Sequence, residues 1–294
     1  MNSLQKYLLP LLLVSLTTLT ACTTNTSEST TISGTSTTTS TSSTQTSVTT
    51  VSSSDITLNN TSITIDQPGT YTIDGTISDG QIIVNVGEDQ EVTLNLAGIS
   101  VTNTTGTALY IQSGKATINL VDGTTNTLTD GSSYSAQGDE DPNATLYAVE
   151  DLVITGNGIL TVKANYNDAI STKDDLTIEG GSITVTSVDD GIQGNDSITM
   201  NGGTITIDSE GDSFKSDNEE KGTIEINGGT LTINSSDDGI KAYSMITVNN
   251  GTIRVESSYE GMESEKIIVN DGSVTIRSSD DGINVTSSSA TATE

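Results

Sequence analysis

The chain has 294 residues, with ten Lys and Arg against thirty-nine Asp and Glu and a formal charge of −29. It has no His, no Trp, one Phe and one Cys, which excludes imidazole zinc sites, His-based triads and any disulfide framework. Without a basic stripe, nucleic acid is not an expected partner. Scattered acids would mean only solubility, so their placement decides the matter.

At the start, Lys6 precedes an apolar run from about Tyr7 to Leu19, too short and wrongly flanked for a membrane span. The run ends in Leu19-Thr20-Ala21-Cys22, which resembles the lipobox of bacterial lipoproteins. Residues 1–21 are therefore expected to be a signal peptide and Cys22 a lipidated anchor to the membrane. That places the protein at the extracellular face. Residues 22–54, as in TISGTSTTTSTSSTQTS, are nearly pure Ser and Thr. Such a segment buries too little apolar area to offset its ordering entropy and reads as a solvated tether. The tail, residues 287–294, reads the same way.

Residues 55–286 read as one all-β domain, its N-terminal edge near Asp55 and with no helical segment. From Asp168 the chain repeats at about 22 residues, in units such as DGIQGNDSITMNGGTITIDSEG and DGIKAYSMITVNNGTIRVESSY. Four residues are added between Lys215 and Gly222, and one is lost in the fifth unit. Each unit holds three short apolar sets, such as Ile183/Val185, Leu176/Ile178 and Ile170. Ile283 closes the series of the third set. Three β segments per turn of about 22 residues describe a single-stranded parallel β-helix, whose core forms only when turns stack. Stacking converts each repeat position into a ladder with ~4.8 Å steps. Glu179, Asn201, Asn227, Asn249 and Asn270 form one such ladder, suited to side-chain hydrogen bonds and to left-handed dihedrals. The next positions, Gly180, Gly202 and Gly228, are expected where no Cβ fits. A longer excursion, Thr129–Asn143, is either an insertion or one wall of a site.

The stretch SSDDGI at Ser235–Ile240 recurs at Ser278–Ile283, with SVDDGI at Ser187–Ile192. Stacking aligns Asp168, Asp190, Asp212, Asp238, Glu260 and Asp281. An outer column, Asn167, Asp189, Gly211, Asp237, Tyr259 and Asp280, runs beside them. Carboxylates at that spacing repel each other unless well solvated or bridged by cations. Hard oxygen ligands without sulfur or imidazole point to Ca2+, in several ions. The pairs Asp189/Asp190, Asp237/Asp238 and Asp280/Asp281 lead as ligands, followed by Asp168, Asp212 and Glu260. The following glycine is expected to turn its carbonyl toward the ion. The plain alternative is a solvated Asp-Gly turn.

These repeats resemble the carbohydrate-binding β-helix proteins first described from a cellulolytic clostridium, through VDDGIQGNDSITMNGGTITID (Val188–Asp208), NDAISTKDDLTIEGGSITVTS (Asn167–Ser187) and SDDGIKAYSMITVNNGTIRVES (Ser236–Ser258). The resemblance implies a right-handed, pectate-lyase-type β-helix with calcium held by the three aspartate pairs. It also implies affinity for plant cell-wall polysaccharide, acidic or cellulose-like. The turns at Glu210–Ser213 and Tyr259–Gly261 depart from the family's pattern.

Three functions follow. The first is a surface binder of acidic polysaccharide through Ca2+, with Tyr147, Tyr166, Tyr243, Tyr259 and Lys241 as sugar contacts. The second is a polysaccharide lyase, with Lys215, Lys241 or Arg254 as base. Lys215 and Lys241 stack a rung apart, so each could lower the other's pKa, or the two could simply balance the acids. Glu256 and Arg277 are expected to pair across strands. The third is a surface adhesin or spacer without a sugar site.

Overall fold

The computed structural model describes residues 48–51, 54–135 and 141–286. The expected signal peptide, lipidated Cys22, most of the tether, the tail and the middle of the excursion lie outside these residues. The described chain is an all-β parallel solenoid of about nine turns, about 23 residues each, with no helix. Its strands form an eleven-stranded sheet and a seventeen-stranded sheet that covers the other faces. Every pairing is parallel and joins one turn to the next, as in Ile183↔Ile205, Ile205↔Leu231 and Leu231↔Ile253.

The solenoid starts earlier than expected. Val48–Val51, placed in the tether by its Ser/Thr surroundings, is a strand paired with Ser62–Ile65. Its Val-Thr-Thr-Val sequence is all β-branched, and Val51 packs on the core.

One continuous core runs along the axis. The expected inward sets are buried from Ile170 through Met262, with Phe214 fully enclosed. The last described turn differs, since no further described turn stacks on it. Ile283, expected inside, is 53% exposed, and Val269 is 49% exposed.

The corner between the two long columns is turned in two ways. In the early turns one strand runs through it, as Glu91–Asn103 does. That strand bends at Gly98, where φ is +100°. Asn126 of the following turn holds the bend by accepting the N–H groups of Gly98 and Ile99 at 2.9 and 3.0 Å. In later turns the corner is a break carrying the Gly-Gly pair. A Cβ on Gly202 would lie 2.7 Å from the carbonyl oxygen of Glu179, so the first glycine is the close-approach position. The second glycine takes the left-handed conformation, with Gly203 at +88° and Gly229 at +85°. This corrects the expectation that the neighbouring asparagines do so. Their side chains instead form a ladder. Asn201 donates to Glu179, Asn227 to Asn201, Asn249 to Asn227 and Asn270 to Asn249, at 2.7–3.0 Å.

Both irregularities are tied to the solenoid by described residues. Lys221, from the four-residue addition, pairs with buried Asp196 of the preceding turn. The excursion leaves after Asp130, and Tyr134 Oη donates to Asp130 Oδ2 at 2.7 Å. The Tyr134 ring stacks on Tyr166 at 4.3 Å and 18°. Glu256 pairs with Arg254 on its own strand at 2.7 Å. That corrects the expected cross-strand pair with Arg277, since residues two apart on a strand share a face.

Candidate functional site

The DDG turns align along one edge of the eleven-stranded sheet. The backbone carbonyls of Asp190, Asp212, Asp238, Glu260 and Asp281 each accept an N–H from the preceding turn, from Ala169, Gly191, Ser213, Gly239 and Gly261 at 2.8–3.1 Å. The outer column is aligned in the same way, with Asp189 bonded to Asn167, Gly211 to Asp189, Tyr259 to Asp237 and Asp280 to Tyr259.

Five of the six inner acids are not solvated. Asp168, Asp190, Asp212, Asp238 and Glu260 are buried, while Asp189, Asp237, Asp280 and Asp281 are exposed. Hydrogen bonds compensate much of this burial. Asp168 Oδ1 accepts the Asp190 N–H at 3.2 Å, Asp190 Oδ1 that of Asp212 at 2.8 Å, and Asp212 Oδ1 that of Asp238 at 3.1 Å. Asn143, at the end of the excursion, donates to Asp168 Oδ2 at 2.8 Å. Asn284 donates to both oxygens of Glu260 at 2.8 Å. The excursion thus closes the first rung of the ladder.

The glycine after each acid pair has a different reason from the one expected. A Cβ on Gly191 would lie 2.6 Å from the Ser213 carbonyl oxygen. The carbonyls of Gly191, Gly239, Gly261 and Gly282 accept inter-turn bonds from Ile170, Phe214, Ile240 and Met262 at 3.1–3.2 Å. They serve the ladder rather than facing the carboxylates. Tight stacking, not carbonyl presentation, selects glycine at Gly191, Gly239 and Gly261, whereas a Cβ on Gly282 would meet nothing closer than 4.0 Å.

Two lysines enter the column. Lys215 Nζ lies 2.8 Å from Asp190 Oδ2 and 3.3 Å from Asp212 Oδ2. Lys241 Nζ lies 2.8 Å from Asp238, 3.3 Å from Glu263 and 3.7 Å from Asp212. Burial pulls both ammonium groups down, but hydrogen bonds to Asp190 and Asp238 and the surrounding carboxylates raise them further. Of the two alternatives, the lysines therefore balance the acids rather than lower each other. Acids, not the other lysine, dominate each environment. Arg254 sits on the other sheet, bonded to Glu256.

Three groups of carboxylates bring ligand atoms within 4.8 Å of one another: Asp168/Asp189/Asp190, Asp212/Asp237/Asp238 and Asp238/Glu260/Glu263. The first two follow one rule, an inner acid of one turn joined by the acid pair of the next. Asp280 and Asp281 join none of these groups. The inner acid before them is Glu260, which Asn284 holds. Glu263 was not foreseen. The signal was its repeat position, which it shares with Lys215 and Lys241.

The crowding is visible in proton affinity. Burial, then the charges of Asp190 and Asp189, push Asp168 up to about 7. Burial lifts Asp212 to about 6, with Lys241 and Lys215 opposing and Asp190 and Asp238 adding to the rise. A hydrogen bond with Asp238 and burial take Glu263 to about 7. Oxygen-only donors held this close fit a hard cation such as Ca2+, which would share the carboxylates with Lys215 and Lys241.

The tyrosines divide. Tyr147, a candidate contact, is buried against Tyr110 with ring centres 6.0 Å apart, so it presents no face to a ligand. Tyr166 is exposed but carries Tyr134 on one face. Tyr259 is exposed, and a hydrogen bond to Asp280 raises its phenol pKa. Tyr243 lines a cavity with Lys241.

Comparison with known proteins supplies the family. A carbohydrate-binding domain-containing protein of Acetivibrio thermocellus is 48% identical over 124 residues, which are 41% of this chain and 43% of that protein's length. A solved polysaccharide lyase-like protein from C. thermocellum, a gadolinium derivative, superposes with a TM-score of 0.65 at 36% identity. That match covers 79% of this chain and 90% of the other. Residues 59–293 match the family described as carbohydrate-binding domain-containing protein, and the chain belongs to that family.

Proposed function

We propose that this protein is a calcium-dependent, non-catalytic binder of acidic cell-wall polysaccharide of the polygalacturonate type, held at the extracellular face of the membrane by lipid on Cys22. The observation that carries this reading is the construction of the acid groups from two turns each, Asp168 with Asp189/Asp190 and Asp212 with Asp237/Asp238. A chain this acidic repels a uronate polymer. Calcium that shares its coordination between protein and polymer reverses the sign of the interaction. Each group has an exposed rim acid, Asp189 or Asp237, through which an ion would reach solvent and ligand.

Binding is favoured over β-elimination by the state of the lysines. A lyase base must be unprotonated when it meets the substrate, and the acids around Lys215 and Lys241 hold their protons on.

Affinity electrophoresis through gels containing polygalacturonate, with calcium or with chelator, tests the reading. Retardation in calcium that disappears with chelator is expected. Equal mobility in both gels would leave a spacer, and unsaturated uronate products would mark a lyase. Membrane fractionation of Cys22→Ser tests the anchor, with release into the soluble fraction expected.

A further inference from the structure

Four asparagines of the chain precede a glycine: Asn157, Asn201, Asn227 and Asn250. Three of these pairs are held by the solenoid. Gly158 donates its N–H to the Leu120 carbonyl at 3.0 Å. Asn201 and Asn227 have both ends of their side-chain amides in the ladder, donating to Glu179 and Asn201 and accepting from Asn227 and Asn249 at 2.7–3.0 Å. Asn250 is placed differently. In its turn the ladder position belongs to Asn249, so Asn250 falls where earlier turns carry the first glycine, and it is exposed. The Gly251 N–H points at its neighbour's side chain, donating to Asn250 Oδ1 at 2.8 Å.

We propose that Asn250-Gly251 is a site of spontaneous covalent modification, at which the asparagine side chain cyclises onto the next backbone nitrogen and becomes aspartate or isoaspartate. The nucleophile and the electrophile are already neighbours: the Gly251 nitrogen, and the Asn250 amide carbon that carries the Oδ1 it bonds. Glycine puts no Cβ in the path of attack. The Gly251 nitrogen gives its proton to hydroxide and bonds to Asn250 Cγ, and the side-chain nitrogen takes up a proton and leaves as ammonia. Water then opens the cyclic imide at one carbonyl to give aspartate or at the other to give isoaspartate. The net change consumes one water and releases one ammonia. The solenoid already shows how it holds the first product. One turn on, Asp271 replaces Asn250, and the Gly272 N–H donates to Asp271 Oδ1 at 2.8 Å. The second product does not fit. Isoaspartate routes the main chain through Cβ and Cγ and so lengthens it by one carbon. A Cβ on Gly251 would lie 3.1 Å from the Gly229 carbonyl oxygen. Bonds from Thr252 to Gly229 at 2.9 Å and from Ser273 to Gly251 at 2.8 Å fix the register on both sides. The extra carbon shifts Thr252–Ser257 against its neighbours and loosens the turns that follow.

The inference is independent of the calcium and polysaccharide readings. Ageing the full chain in mildly alkaline buffer, followed by peptide mapping that separates aspartate from isoaspartate, tests it. The same ageing in guanidinium chloride supplies the unfolded reference. In the folded protein Asn250 is expected to convert roughly tenfold faster or more than Asn157, Asn201 and Asn227, whose bonds must first break by local opening. In the unfolded chain the four should convert at similar rates, since glycine follows each of them. The aged folded sample is expected to contain an isoaspartate fraction with a lowered urea midpoint, absent from aged Asn250→Gly, which restores the glycine of earlier turns. Asn250 left intact in the folded protein, or the same relative rates folded and unfolded, would overturn the site. An isoaspartate fraction with an unchanged midpoint would overturn the loosening of the turns.

Discussion

Lys215 Nζ lies 2.8 Å from Asp190 Oδ2, on the turn before its own, and so occupies the space between two rungs of the acidic column. Gly211 makes the room, since a Cβ there would lie 2.7 Å from Asp190 Oδ1. The Glu210–Ser213 turn, which departs from the DDG pattern, is thus the rung where the chain supplies its own cation. Lys215→Met leaves Asp190 and Asp212 facing each other without that charge. Removing one partner of a buried ion pair costs about 3 kcal/mol. The urea midpoint in chelator is expected to fall accordingly, and calcium to restore much of the loss. A loss of the same size in calcium and in chelator would show that no metal enters this rung.

The acids give the metal-free protein an unusual response to pH. Asp168 is pushed up to about 7 and Asp212 to about 6, both above their ordinary range. Between about pH 4 and those values the folded state binds more protons than the unfolded chain, so stability falls as pH rises through this window. Asp196 has the opposite sign. Against burial, which raises it, bonds from Lys221 and Asp174 hold it low, so its contribution is lost only in stronger acid. In chelator, the thermal midpoint is expected to drop by several degrees from pH 5 to pH 8. Millimolar calcium should remove the drop, because the ion binds the ionised groups. A midpoint in chelator that is flat over this range would contradict the crowding.

The second glycine of the corner is a backbone requirement. Gly229→Ala places a Cβ at φ +85° and 2.7 Å from the Gly203 carbonyl oxygen. A non-glycine residue held in that conformation costs about 1–3 kcal/mol, readable as a lower urea midpoint. The first position tolerates a side chain at Asn250 and Asp271 in later turns, so Gly228→Asn is expected to cost less than Gly229→Ala. The reverse order would show that crowding, not dihedral preference, selects these glycines.

Asn227 donates to Asn201 and accepts from Asn249 at 3.0 and 2.7 Å. Asn227→Leu removes both bonds and is expected to cost about 1–2 kcal/mol. A neutral result would make the asparagine ladder a by-product of turn preference.

The solenoid was legible because its period is written twice, in apolar spacing and in the Asn-Gly turns. Misaligning either would turn Ile205 or Leu231 outward. What escaped the sequence depends on neighbours outside the repeat. Ile283 carries the inward signal of Ile240, but that signal cannot show that Ile283 lies on the outermost described turn. The alignment of Asp190 and Asp238 was legible from spacing. Their burial was not, because it depends on Lys215 and Lys241, which come from an outward column. Glu263 went unread because it replaces a lysine with a residue of opposite charge. The role of Gly191 was misread because a close approach to Ser213 of the next turn leaves no local mark.

Calcium titration of chelator-stripped protein by calorimetry, comparing wild type with Asp189→Asn/Asp237→Asn, tests the central claim most directly. Both positions are exposed rim acids, so the variant keeps the buried ladder. The account predicts saturable calcium binding by wild type, with the double variant losing affinity at least tenfold and losing calcium-dependent retardation by polygalacturonate with it. Identical titrations for the two proteins, or no binding by wild type at millimolar calcium, would contradict it.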